Sequence, residues 1–205
     1  MIGSVPNELT INVSQADKVT MDLSFVSLDA QYVTGDGVDV LKTGTRIATL
    51  GEDAINTTSN VYRIKLAIID PASTSPSALF GYVTELKLSV NNKVSPNKAI
   101  GILGAFDTSA GNFEVSGSMT AYFSTVAAVS AVSNNLDIGL STILAAKNKG
   151  SILDIPLLGL GGGKLKVEKD APITVPLTAA GAENKNGYTL AYQNFAYLPT
   201  VAMPP

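Results

Sequence analysis

Residues 112–135 read NFEVSGSMTAYFSTVAAVSAVSNN, and two periods meet inside them. From Asn112 to Phe123 the period is two. Phe113, Val115, Met119, Ala121 and Phe123 fall on one side, and Glu114, Ser116, Ser118 and Thr120 on the other. An extended chain turns successive side chains to opposite faces, so this alternation predicts a half-buried antiparallel strand. Gly117 in its middle predicts a bulge or the close approach of another backbone. From Ser124 the rhythm changes: Val126, Val129 and Val132 stand three apart, with Ala127, Ala128 and Ala131 between them. That spacing predicts one short helix over 125–133, packed on a sheet through Val126, Val129 and Val132. Ser124 offers an N-cap hydroxyl, and Asn134 and Asn135 tolerate the left-handed geometry that ends a helix.

Outward from this stretch the period of two dominates. Leu9, Ile11 and Val13 alternate with Thr10, Asn12 and Ser14; Val19, Met21, Leu23 and Phe25 with Thr20, Asp22 and Ser24. The same pattern holds at Tyr62–Ile68, Leu86–Val90, Leu136–Leu140 and Tyr188–Tyr192. The expected fold is mainly β, a sandwich or barrel-like sheet with one packed helix, and residues 1–205 are expected to form one domain. Residues 27–60 show no clean period and carry the turn-prone GDG at 35–37. A loop of that length in a compact domain is usually functional or disordered.

Composition excludes much chemistry. The chain has 205 residues with no cysteine and no histidine. Disulfides, thiolate metal sites, the commonest general base and the usual triad partner are therefore all absent. No catalytic residue, metal site or cofactor is expected. Charged residues are 15% of the chain, against roughly 25% in an ordinary soluble domain. So sparse a charge predicts flanks covered by neighbouring copies. The net charge of −3 disfavours specific grip on nucleic-acid phosphates, which needs clustered Lys and Arg. No apolar run approaches the roughly 18–20 residues of a spanning helix, and MIGSVPNEL has no positive, then apolar, leader pattern. No membrane partner is expected.

The glycine run in LLGLGGGKLKVEKD (157–170) does not make a phosphate loop. A Walker motif ending at Gly163-Lys164 would need its first glycine at Leu158 and a Ser or Thr at Leu165. A dinucleotide fingerprint starting at Gly159 would place its last glycine on Lys164. The run instead predicts a hairpin: Ile155, Leu157 and Leu158 in one strand, a turn at Gly161–Gly163, and Leu165 and Val167 opening the next. Asp154 suits a turn cap or an ion pair better than a catalytic acid. DTSAGN (107–112) lacks the carboxylates of a calcium loop.

Taken together, LFGYVTELKLSVNN (79–92), KAIGILGAFDTSAGNFEVSGSMTAYFSTVAAVSAV (98–132), SILDIPLLGLGGGKLKVEKD (151–170), PITVPL (172–177) and the closing AYLP (196–199) resemble the tail tube proteins of long-tailed bacteriophages. The likeness covers about 80–199, and more weakly NELTINVSQADKVTMDLSFV (7–26). It implies a structural, non-enzymatic virion protein that assembles into rings of six, stacked into a hollow tube through which genome DNA passes without specific binding. The implied partners are further copies of the chain and other tail proteins at the tube ends; assembly is expected in the host cytoplasm. A tube of a bacterial contractile injection or secretion system shares the architecture, and a surface or capsid-decorating binding module is a rival from another class. No long N-terminal arm is visible ahead of the first alternating stretch, so the inter-ring contact is expected from the aperiodic loop, about 31–60, including Gln31, Gly35, Asp36, Gly37 and Asn60. Asp22, Glu85, Glu114 and Asp137 lie among polar strand positions and are the expected lumen-facing acids.

Overall fold

The computed structural model describes residues 3–30, 47–48, 51, 54–69, 79–80, 82–146 and 149–196. Within them the chain runs β1 (Val5–Ser14), β2 (Thr20–Val26), β3 (Val61–Ile68), β4 (Val83–Asn91), β5 (Ser95–Asn97), β6 (Asp107–Ser109), β7 (Glu114–Tyr122), α1 (Val126–Ser133), β8 (Ile138–Ala146), β9 (Lys149–Gly162), β10 (Thr174–Gly181) and β11 (Ala191–Phe195). The main sheet is antiparallel in the order β2-β1-β4-β7-β10-β9-β8-β3, with β11 also paired to β9. β5 and β6 form a separate two-stranded ribbon.

The sheet curls until the segment leading into β3 docks on the turn between β1 and β2. There Val19 N donates to Ile55 O at 2.9 Å, Thr57 N to Asp17 O at 2.9 Å, and the Thr57 hydroxyl to Ser14 O at 2.8 Å. Curling encloses one core. Ile11, Leu86, Leu88, Val115, Met119, Val175 and Leu177 from one part of the sheet join Leu66, Ile138, Leu140, Leu144, Leu153 and Ile155 from the other. Each such side chain, fully buried, contributes about 1.5–3 kcal/mol. β9 serves both parts: Leu158–Gly162 pairs with β10, while Lys149–Leu158 pairs with β8. Its register on β8 shifts around Pro156 and Leu157, where a residue without an N–H fits a bulge better than a continuous ladder.

The fold agrees with a mainly β reading with one helix, and several details differ. Gly117 keeps the ladder in register. A Cβ there would lie 2.5 Å from Lys87 O, so the glycine answers to close approach and not to a bulge. Thr125, not Ser124, caps α1; its hydroxyl accepts from Ala128 N at 3.3 Å. Asn135 takes φ 52° just past the helix end. α1 buries Ala128, Ala131 and Val132 and half-buries Val129, while Val126 is 72% exposed. Val126 is the first residue of the helix and turns to solvent, while the small alanines lie on the buried side. Leu165 and Val167 do not open a strand; they lie exposed in the connection to β10, held by an isolated bridge between Lys166 and Thr174. Leu136 and Tyr188 fall short of β8 and β11 and stay partly exposed.

Candidate functional site

The outward face of β2, β1, β4, β7 and β10 is a polar surface. Residues paired across neighbouring strands share a face. The registers therefore set Asp22, Thr10, Ser89, Ser116 and Ala180 in one row across five strands, with Thr20, Asn12, Lys87, Ser118 and Thr178 in the next. Flanking rows hold Ser24, Glu8, Asn91 and Glu114 at one end, and Ser14, Glu85, Thr120 and Pro176 at the other. Most of these side chains are short and carry one hydroxyl or amide. Asn12 Nδ2 donates to Asp22 Oδ2 at 3.1 Å, and the Ser89 hydroxyl donates to the Glu8 carboxylate. The strands contribute four carboxylates, Glu8, Asp22, Glu85 and Glu114, against the single cation Lys87. Lys93, just past β4, lies 2.6 Å from Glu114. The face is net acidic.

Three of the four expected acids, Asp22, Glu85 and Glu114, thus share one surface. Asp137 does not join them. It precedes β8, three strands beyond β7 in the sheet order, where its carbonyl accepts from Ile69 N at 2.9 Å. Glu8 is the member that sequence reading missed. Its place in phase with Thr10, Asn12 and Ser14 is the available signal, but Pro6 and Asn7 blur the start of the strand. Of the loop residues singled out, Gln31, Gly35, Asp36 and Gly37 lie outside the described residues. Asn60 holds the turn ahead of β3: its side-chain oxygen accepts from Asn56 N, and its carbonyl from Ala145 N, both at 2.8 Å.

The other side of β2 is apolar. Leu23 pairs with Leu9 and Met21 with Ile11, so the row Met21, Leu23, Phe25 continues the core face of β1. Yet all three side chains are more than half exposed, because β2 ends the sheet.

Elsewhere the chemistry is structural. Burial holds the Asp154 carboxyl above its ordinary range, and a hydrogen bond with the Ser141 side chain offsets part of that rise. Asp154 lines a shallow depression with Lys65, Ala67, Ile69, Gly139 and Ser141, which contains no second acid to form a general acid–base pair. Gly162 and Gly163 take φ 86° and 77° where the chain leaves β9, and Gly163 N donates to Pro176 O at 3.1 Å. A turn and no helix follows them, so no phosphate cradle forms. Asp107–Ser109 is the short strand β6. Among the described residues no cluster of three or more His, Cys, Asp or Glu is placed to hold a metal, and no helix is long and apolar enough to cross a membrane.

No curated protein matches the chain. A family model described as phage tail tube protein matches residues 1–181. Such proteins are structural components of the virion tail and generally non-enzymatic. This chain belongs to the phage tail tube protein family.

Proposed function

We propose that this chain is the repeating subunit of a tail tube, closing into rings of six that stack around a channel for genome DNA. The observation that carries the proposal is β2. A strand at the end of a sheet has unpaired N–H and C=O groups on its free side, and monomeric proteins blunt such edges with Lys, Pro or inward charges. β2, TMDLSFV, has neither Lys nor Pro and aligns Met21, Leu23 and Phe25 on its core side. Strand addition from a neighbouring copy satisfies the backbone groups and covers the apolar row together. A head-to-tail contact of this kind makes a ring when its rotation closes. The contact with the next ring is assigned to the stretch 31–60, other tail proteins close the tube ends, and assembly takes place in the host cytoplasm before the tube joins the virion.

In that arrangement the polar face of β1, β4 and β7 lines the channel. Basic linings bind DNA by releasing counterions from its phosphates. A lining of hydroxyls and carboxylates offers no such gain, and within a Debye length of about 8 Å it repels weakly. DNA then slides without sticking. The test has two parts. Concentrated protein is expected to give hollow tubes in negative-stain microscopy and fast-sedimenting species; protein that stays monomeric at every concentration overturns the reading. Glu8→Lys with Glu114→Lys is expected to leave assembly intact and to slow DNA ejection several-fold, most at low salt. Unchanged ejection would mean that this face looks elsewhere.

A further inference from the structure

Outside β2, four exposed apolar residues fall in one short loop, 98–106. β1, β4, β7 and β10 alternate in direction, so Glu8, Asn91, Glu114 and Ala180 mark one end, and Ser14, Val83, Tyr122 and Thr174 the other. From the first end hangs the β5–β6 ribbon. Its connecting loop, KAIGILGAF (98–106), leaves Ile100 and Leu103 almost entirely exposed and Ile102 and Phe106 about half so. The loop is nonetheless fastened. Phe106 N donates to Asn97 O at 3.0 Å and Ala105 N to Leu28 O at 2.9 Å, while Gly101 and Gly104 turn it with φ of 84° and 86°. It is a built projection with a dry tip, a costly thing to leave in water.

The opposite end of the same strands offers a receptor. An open cavity of about 340 Å³ is lined by Val13, Ile64 and Val83 at its apolar side, with Thr57, Thr58 and Glu85 among its other walls. An apolar cavity of about 150 Å³ already holds a benzene, so this one has room for two branched aliphatic side chains. Charge agrees with shape: Lys98 begins the projecting loop, and Glu85 stands in the cavity wall. The wall also includes Thr57 and Thr58, at the root of the stretch 31–60 already assigned to the next ring. Knob and socket at opposite ends of one set of strands cannot meet within a subunit. Between copies they make a heterologous contact that repeats along a line.

We propose that residues 98–106 are an axial knob, with Ile100 and Leu103 seated in the Val13–Ile64–Val83 cavity of a second copy in the adjacent ring. This rests on the tube reading and adds the residues that join one ring to the next. The absence of cysteine in the chain makes a direct test clean. Leu103→Cys and Thr58→Cys both fall on exposed side chains, and a short bis-maleimide applied to assembled tubes of the double variant is expected to give a ladder of dimers, trimers and longer chains. Either single variant should give none. In parallel, Ile100→Asp with Leu103→Asp should keep the wild-type melting temperature and form rings, with mean tube length cut at least tenfold. Tubes of normal length from that variant, or wild-type-like tubes without a ladder, overturn the knob while leaving the tube reading intact. A variant that loses rings as well moves the loop into the ring contact and overturns the axial assignment. Wild-type protein that never assembles removes the tube reading, and the knob with it.

Discussion

β2 and β10 are written in the same code and meet different fates. TMDLSFV and TVPLTAAG both alternate apolar with polar residues. In β10 the apolar set, Val175, Leu177 and Ala179, is 0%, 2% and 8% exposed; in β2 the set Met21, Leu23 and Phe25 is 53%, 54% and 55% exposed. The difference is position in the sheet. β10 lies between β7 and β9, over the core, whereas β2 is the last strand and nothing within the described chain lies across it. Alternation therefore states that one face of a strand is to be covered. It does not state whether the cover comes from the same molecule or from another.

One charge placed in each strand tests that difference most severely. Val175→Asp puts an unpaired carboxylate in a dry core, at a cost comparable with the whole ~5–15 kcal/mol of a domain's stability. No soluble folded protein is expected from it. Leu23→Asp changes a side chain that already meets water in the isolated subunit, so its stability should move by no more than about 0.5 kcal/mol. Its effect belongs to assembly: sedimentation should show monomers at concentrations where the wild-type chain forms tubes. If both variants fail to fold, or both assemble, β2 and β10 are not the contrasting pair described.

The same contrast marks how far the sequence could be read. Strand positions were legible wherever one face met the core and the other met solvent, as in Leu86–Val90 and Val115–Ala121. The helix was legible from its spacing, and its buried side in part. Of the expected stripe, Val132 and Val129 pack on the core while Val126 does not, and Ala128 and Ala131 are buried beside them. Helix–sheet distance is a tertiary property, and the sequence window holds no record of it. The acidic face was legible for Asp22, Glu85 and Glu114, each on a clear alternation. It failed for Asp137, which lies just before a strand whose start is set by pairing with β3 and β9. The projecting loop 98–106 was invisible as a feature because its apolar residues obey no period; only the ribbon beneath them gives them a direction.

A smaller effect sharpens the comparison from inside the core. Thr142 lies in the inward row of β8 between Leu140 and Leu144, 1% exposed, and its hydroxyl has no hydrogen-bond partner among the described residues. A buried hydroxyl left unmatched costs about 1–3 kcal/mol, and replacing it with an apolar group of the same shape removes that cost. Thr142→Val should therefore stabilise the subunit by about 1 kcal/mol, or roughly 2–4 °C in Tm for a chain of this size. The measurement suits the Leu23→Asp background, where assembly adds nothing to apparent stability. A lower Tm would mean that the hydroxyl has a partner, such as a buried water.

The smallest expected effect comes from the reverse of Leu23, a polar side chain on an outward face that is partly covered. Asp154 stands on β9 opposite Ser141, and burial raises its pKa above the ordinary 3.8. The sign follows from proton counting. As pH rises past 3.8 the unfolded chain loses this proton first while the native chain keeps it, so the native state binds more protons and stability falls with pH. The fall ends once pH exceeds the raised native value, and above it the penalty is constant. Asp154→Asn abolishes the ionisation and keeps an oxygen to accept from Ser141. Measured in the Leu23→Asp background, the Tm of the Asn variant minus that of its parent should be lowest below pH 3.8 and should climb to a steady, higher value toward neutrality. Because the group is only partly buried, solvent screening keeps the climb below the gain from Thr142→Val. A difference that falls with rising pH would show instead that the carboxylate is stabilised where it stands, and that this outward face is wetter than its neighbours imply.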